Sequence, residues 1–209
     1  MKLYYSDTSP YSRKVRLVII EKGLDDDIQK IKINPFEDNP ELWAVNPLGK
    51  IPALELDYDE TLFDSPVICR YLDRLSKTVT TPLLIPSDGW SEWDILRWEA
   101  LADGMTDAAY NLVMERRRPS AEQSKEWIAR WASDIHRVLS EIESRIDELD
   151  NHFTLAQLAL GAAVGYIDFR LAEMLYESVC PQVAKYPAIQ AWYEVFKTRS
   201  SMIATKPAE

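Results

Sequence analysis

Residues 3–23 read LYYSDTSPYSRKVRLVIIEKG, and their pattern sets the architecture of the first part of the chain. Leu3-Tyr4-Tyr5 is a short run of strand-forming residues that Asp7-Thr8 breaks. Ser9-Pro10 then reads as a helix start. A serine oxygen accepts from the free N–H groups of a first turn, and a proline there lacks the N–H that would be left unbonded anyway. Arg13, Lys14 and Arg16 interleave with Val15, Leu17, Val18, Ile19 and Ile20, and Gly23 stands where a helix ends on a left-handed residue. The segment is strand, loop, helix. Its helix N-terminus aims unbonded N–H groups and the positive dipole end back at Ser9, a setting that stabilises a thiolate.

The segments that follow continue the alternation. Ile31 and Ile33 alternate with Lys30 and Lys32, the period of a half-buried or edge strand. Pro35 and Pro40 punctuate a loop with one helical turn around Glu41-Leu42-Trp43. Asn46-Pro47-Leu48-Gly49-Lys50-Ile51-Pro52 packs two prolines and a glycine into a defined loop, and Ala53 to Leu56 begins a strand. Asp57-Tyr58-Asp59-Glu60 reads as a hairpin turn and Thr61-Leu62-Phe63 as its second strand. Asp64-Ser65-Pro66 opens a helix running from Val67 to about Leu75, by the same Ser-Pro device as at Ser9. An acid, a hydroxyl and helix-start N–H groups together suit the ammonium and carboxylate of an amino acid. Cys69 falls on the apolar face of this helix as a small buried hydrophobe.

From Trp90 the period becomes helical. Trp98, Leu101, Met105, Ala108 and Leu112 form one stripe, and Pro119 ends it. Gly104 costs about 1 kcal/mol against alanine in a helix, which points to a close crossing or a site wall. Ser120-Ala121-Glu122-Gln123 reads as a capping box for a second long helix with Ile128, Trp131, Ile135, Val138, Ile142, Ile146 and Leu149 on one side. Thr154-Leu155-Ala156-Gln157 is another box, at the head of the most apolar helix, in which Gly161 and Gly165 permit close packing. A last helix starts near Pro187 and carries Ile189, Trp192 and Phe196.

Composition excludes several classes. A net charge of −10 repels nucleic-acid phosphates, and Arg116-Arg117-Arg118 sits where helix C-terminal cations complement the dipole. Cys69 and Cys180 make no CxxC, which fits a reducing compartment. His136 and His152 have no ligand-like neighbours, so no metal is expected. The apolar run from Leu155 to Ile167 is too short to span a bilayer, and no signal peptide is legible; a cytoplasmic protein is expected.

The motifs together resemble one family. Ser9-Pro10-Tyr11-Ser12 occupies the place of the glutaredoxin Cys-Pro-Tyr-Cys, and TSPYSRKVRLVIIEKG resembles the first strand–helix unit of serine-type glutathione S-transferases. NPLGKIPAL resembles their glutathione-site loop, whose proline before the third strand is cis, and Asp64-Ser65 the pair that holds the γ-glutamyl end. TLAQLALGAAVGYIDFRL resembles their central C-terminal helix, with Gln157 where the family usually has aspartate, and Arg199-Ser200-Ser201 departs from the usual Arg-Pro-Ser.

The resemblance implies an α+β, thioredoxin-like β-α-β-α-β-β-α domain over residues 1–77, a linker over 78–89 and an all-α helical bundle over 90–209. It implies a homodimer that takes glutathione as co-substrate, without a cofactor, and attacks a small hydrophobic electrophile with its thiol. Ser9 is the expected thiol-activating donor, with Ser12, Tyr5 and Tyr11 as alternatives. Lys50, the Ile51 backbone, Asp64 and Ser65 would hold glutathione, and Tyr11 and Met105 would wall the second-substrate pocket. Two other readings stay open: another glutathione enzyme (disulfide reductase, isomerase or dehalogenase), and a protein-binding member without catalysis, as in the stringent starvation protein.

Overall fold

A computed structural model describes residues 1–57, 60–75, 82–86, 89–150, 152–171 and 182–208. By proximity the chain divides into two units, Met1–Glu92 with Ser200–Glu209, and Trp93–Arg199. Of the stretch read as a linker, 78–81, 87 and 88 lie outside the described residues, as do Tyr58 and Asp59 of the hairpin turn, Asn151 and Cys180.

The first unit holds β1 (Lys2–Tyr5), α1 (Pro10–Glu21), β2 (Gln29–Lys32), α2 (Pro40–Val45), β3 (Ala53–Glu55), β4 (Thr61–Leu62) and α3 (Ser65–Arg74). This is the thioredoxin-like order. The sheet runs β2-β1-β3-β4, with β1 parallel to β2 and antiparallel to β3, and β3 antiparallel to β4. Leu3, the central β1 residue, is fully buried, as are Val15, Leu17, Val18 and Ile19 of α1 and Ile68 and Leu72 of α3. Helices α1 and α3 pack together. Gly23, at φ +66°, ends α1: its N–H donates to Ile20 O at 3.0 Å and that of Leu24 to Ile19 O at 2.9 Å, a Schellman motif.

Charged residues of α1 are more buried than their interleaving suggests. Arg13 is buried and donates to Met202 O at 3.2 Å and Thr205 Oγ1 at 3.4 Å, so α8 (Ser200–Ala204) groups with this unit. Lys22, 0% exposed, pairs at 2.9 Å with Asp73, 2% exposed, at the end of α3. It also donates to Pro82 O at 3.0 Å, while the Asp73 carboxylate accepts from Leu84 N at 2.8 Å and Ile85 N at 2.9 Å. The ends of α1 and α3 and the segment 82–85 are thus clasped by one ion pair.

The second unit is helical: α4 (Trp90–Arg116, which enters it at Trp93), α5 (Lys125–Arg145), α6 (Leu155–Leu171) and α7 (Pro187–Phe196). Helix α6 is buried at every position from Leu155 to Ile167, as a central core helix must be. Half of its capping box forms: Gln157 Oε1 accepts from Thr154 N at 2.8 Å, while Thr154 Oγ1 accepts from Ala156 N at 3.3 Å. The Gln157 amide also donates to His152 O at 2.6 Å and to Leu149 O, which a carboxylate cannot do. Glu143 of α5 caps α7, accepting from Ala188 N and Ile189 N at 2.9 Å each.

Two expectations are corrected here. The cap of α5 is Ser124, which accepts from Trp127 N at 3.3 Å; Ser120–Glu122 is a 3-10 turn after Pro119. Gln123 instead donates to Arg116 O and Arg118 O, closing the C-terminal end of α4. Gly104 is exposed, and among the described residues a Cβ there would meet no atom within 4 Å, so it marks no close crossing with them.

Candidate active site

Strand register brings the three motif segments of the first unit to one sheet edge. Tyr4 lies opposite Ala53, so the residues leaving β1 toward Ser9 run beside those entering β3 from Lys50-Ile51-Pro52. Leu62 lies opposite Leu54, so the chain leaving β4 reaches Asp64-Ser65 at that same edge. The N-termini of α1 and α3 begin there, each with its positive dipole end.

Ser9 is the N-cap of α1, with φ −79° and ψ 121°, and Pro10 follows at the first helical position. Its Oγ accepts from Ser12 N at 3.2 Å, and its carbonyl accepts from Arg13 N at 2.9 Å. An accepted N–H occupies one oxygen lone pair and leaves the hydroxyl proton uncommitted. Capping and donating to an anion are therefore compatible, and the accepted bond polarises the O–H toward donation. Ser12 differs: it is 0% exposed, and its Oγ has no hydrogen-bond partner among the described residues. Of the two serines only the half-buried Ser9 reaches the surface. Tyr5 and Tyr11 are also half-buried, with the Arg16 guanidinium 4.8 Å above the Tyr5 ring.

The loop before β3 is built around Asn46. Its Oδ1 accepts from Leu48 N at 3.0 Å, its carbonyl from Gly49 N at 2.9 Å, and its Nδ2 donates to Lys50 O at 2.8 Å. Gly49 takes φ +63°, and a Cβ there would stand 3.4 Å from the Trp43 indole nitrogen. The Ile51-Pro52 bond is cis. Ile51 is buried with Tyr4, Leu42, Val45 and Ala53, whereas Lys50 is exposed. Asn46 has no assigned role in the sequence reading; its signal is an asparagine two residues ahead of a turn, the Asx-turn pattern.

Asp64 is the N-cap of α3, yet its side chain makes no capping bond and is exposed, while Ser65 is buried. A helix start without a side-chain cap, beside an exposed carboxylate, can hold a zwitterionic amino-acid end, N–H groups to its carboxylate and Asp64 to its ammonium. The register thus gathers Ser9, Lys50, Ile51, Asp64 and Ser65 at one edge. Tyr11 follows in the first turn of α1; Met105 belongs to α4 in the second unit and is 0% exposed. No cluster of His, Cys, Asp and Glu among the described residues can hold a metal ion, and no described helix is long and apolar enough to cross a membrane.

Comparison with known proteins follows the same division. Residues 8–75 match the glutathione S-transferase N-terminal domain and residues 125–194 the C-terminal domain. The chain is 35% identical over 173 residues to the uncharacterized GST-like protein YibF of Escherichia coli K12, covering 81% of this chain and 83% of that one. It is 28% identical over 219 residues to a maleylacetoacetate isomerase of Pseudomonas aeruginosa, covering 100% of this chain and 93% of the isomerase. A crystal structure of a glutathione transferase family member from Pseudomonas fluorescens Pf-5, with bound glutathione, superposes with a TM-score of 0.90 at 34% identity, covering 100% of this chain and 99% of that one. With both domains matched and relatives of this similarity spanning nearly their full length, the chain belongs to the glutathione S-transferase family.

Proposed function

We propose that this protein is a glutathione transferase that ionises the glutathione thiol with Ser9 and directs it at the electrophilic carbon of a small hydrophobic substrate. The observation that carries the reading is the Ser9 hydroxyl, which caps α1 through its oxygen and keeps its proton to donate. Glutathione in the Pseudomonas fluorescens relative supports the choice of thiol. In this reading the Ile51 backbone pairs with the cysteinyl residue, Lys50 meets the glycine carboxylate, and Asp64 with the α3 start and Ser65 holds the γ-glutamyl end. Tyr11 faces the second substrate, whereas Met105, at 0% exposure inside the second unit, is not assigned a wall. The protein works as a cytoplasmic homodimer, and detoxification is the role such chemistry serves.

The magnitudes suffice. A free thiol has a pKa of about 8.5, so only a few per cent is thiolate at neutral pH. A hydrogen bond from a hydroxyl to the charged sulfur contributes about 1.5–3 kcal/mol. The α1 dipole adds about 0.3–1 kcal/mol. At about 1.36 kcal/mol per unit, the pKa falls by roughly one to three units, which raises the thiolate from a few per cent to about a quarter or more at neutral pH. The thiolate then forms the carbon–sulfur bond while the electrophile's leaving group departs or its double bond takes up the electron pair.

A second reading is favoured by the isomerase relative, which matches this whole chain. The same thiolate would add to a double bond and leave again, so glutathione would be returned unconsumed. Glutathione consumption measured against product formation separates the two: one equivalent per product supports the transferase, catalytic amounts the isomerase. Absence of glutathione binding in calorimetry at millimolar concentration would overturn both and leave a protein-binding role.

A further inference from the structure

The three residues between β1 and Ser9 are Ser6-Asp7-Thr8, without a proline or glycine to fix their course. Asp7 is tied from two sides. Its Oδ1 accepts from Arg16 Nη1 of α1 at 2.9 Å, and its Oδ2 lies 2.7 Å from Lys32 Nζ of β2. Arg16 is itself held with its guanidinium 4.8 Å above the Tyr5 ring, and Lys32 lies opposite Tyr5 in the β1–β2 register. Tyr5 O accepts from Ile33 N at 2.9 Å, closing that ladder. The Asp7 and Arg16 side chains are only 20% and 12% exposed, so this pair is better shielded than a surface bridge. The Asp7 carboxylate also holds the Lys32 ammonium above its ordinary pKa.

We infer that Asp7 is a positioning residue for the thiol-activating site: by clamping the β1–α1 loop to Arg16 and Lys32 it sets where the Ser9 hydroxyl points. The inference rests on the transferase reading of Ser9. An electrostatic role and a positioning role for Asp7 differ in sign. Asp7, Arg16 and Lys32 together carry one net positive charge, and removing the carboxylate leaves two. Charge alone would then lower the thiol pKa of bound glutathione further. A loosened loop does the opposite, because Ser9 loses its alignment on the sulfur; misplacement by about 1 Å is enough to cost roughly a hundredfold in rate.

The test is the thiol pKa of glutathione bound to the full-length protein, followed by thiolate ultraviolet absorbance. In Asp7→Asn it rises by about half a unit or more, a threefold loss of thiolate below the pKa. Asp7→Glu, which keeps the charge and both partners, stays closer to wild type. Lys32→Gln provides a second route that cannot be confused with misfolding, since that side chain is 63% exposed. Its expected rise has the same sign as that of Asp7→Asn, whereas a bare charge effect would raise the pKa in Lys32→Gln and lower it in Asp7→Asn. A pKa unchanged or lowered in Asp7→Asn, or unchanged in Lys32→Gln, overturns the positioning role while a depressed wild-type pKa leaves the function of Ser9 standing. An undepressed wild-type pKa overturns the function itself, and this inference with it.

Discussion

Asp73→Ala is the perturbation with the largest expected effect on stability. Lys22 and Asp73 face each other at 2.9 Å with 0% and 2% of their side chains exposed, so removing the carboxylate strands an ammonium in the interior. Breaking a buried pair from one side costs about 3–5 kcal/mol. Asp73 is also the acceptor for Leu84 N and Ile85 N, and each backbone donor left without a partner adds about 1–3 kcal/mol where water cannot reach it. For that reason the double replacement Lys22→Met with Asp73→Leu, which in many proteins would be neutral, recovers only part of the loss here. Urea unfolding followed by tryptophan fluorescence measures both, with the midpoint reporting stability and the slope reporting the exposed area. An expected loss of at least about 3 kcal/mol in the single variant compares with total stabilities of about 5–15 kcal/mol. A loss below about 1 kcal/mol would be that of a solvated pair and would refute the clasp between α1 and α3.

Further outcomes follow from the second unit. Gly104→Ala stabilises the protein by up to about 1 kcal/mol, since α4 gains a better helix former and the new methyl meets nothing within 4 Å; a lower thermal midpoint would show a neighbour at that face. Burial, and then the charge of Lys185, hold the His136 imidazole below its ordinary pKa, with its Nδ1 2.9 Å from the Tyr186 hydroxyl. The unfolded chain protonates first, near about pH 6.5, so the stability His136 contributes is complete above that pH and is lost as pH falls through the lower folded pKa. Denaturant midpoints between neutral and acid pH fall less steeply in His136→Gln; an unchanged slope would contradict the assignment.

The parts of this fold legible in sequence were those fixed by local chemistry. Ser9-Pro10 announced a helix start because cap and proline act within one turn, and Gly23 announced a left-handed stop. At α3 the start was legible but the cap was not: Asp64 rather than Ser65 is the N-cap, and its side chain makes no capping bond. The Gln157 half of the Thr154–Gln157 box formed as spaced, because both partners lie on the same turn. Ser120 misled because several capping residues stand in a row, and only the backbone path after Pro119 selects Ser124. Burial of Arg13 and Lys22 was not legible: their partners Met202, Thr205 and Asp73 are remote in sequence, and pairing at that range is a property of the tertiary fold. Asn46 and Asp7 were passed over for a related reason. Each acts by holding a neighbouring loop, and the second partner of Asp7 lies on β2. Gly104 shows the converse, a costly residue without a packing reason.

The most direct measurement of the central claim is the thiol pKa of bound glutathione in wild type and Ser9→Ala, at saturating glutathione. Loss of the cap itself lowers fold stability by about 1 kcal/mol, a loss read separately from the midpoint of unfolding. The account predicts a wild-type pKa at least about one unit below that of free glutathione, and a rise of about one to two units in Ser9→Ala, the worth of one hydroxyl bond to a charged sulfur. A depressed pKa that Ser9→Ala leaves in place would contradict it and move the activation to the helix backbone or a tyrosine.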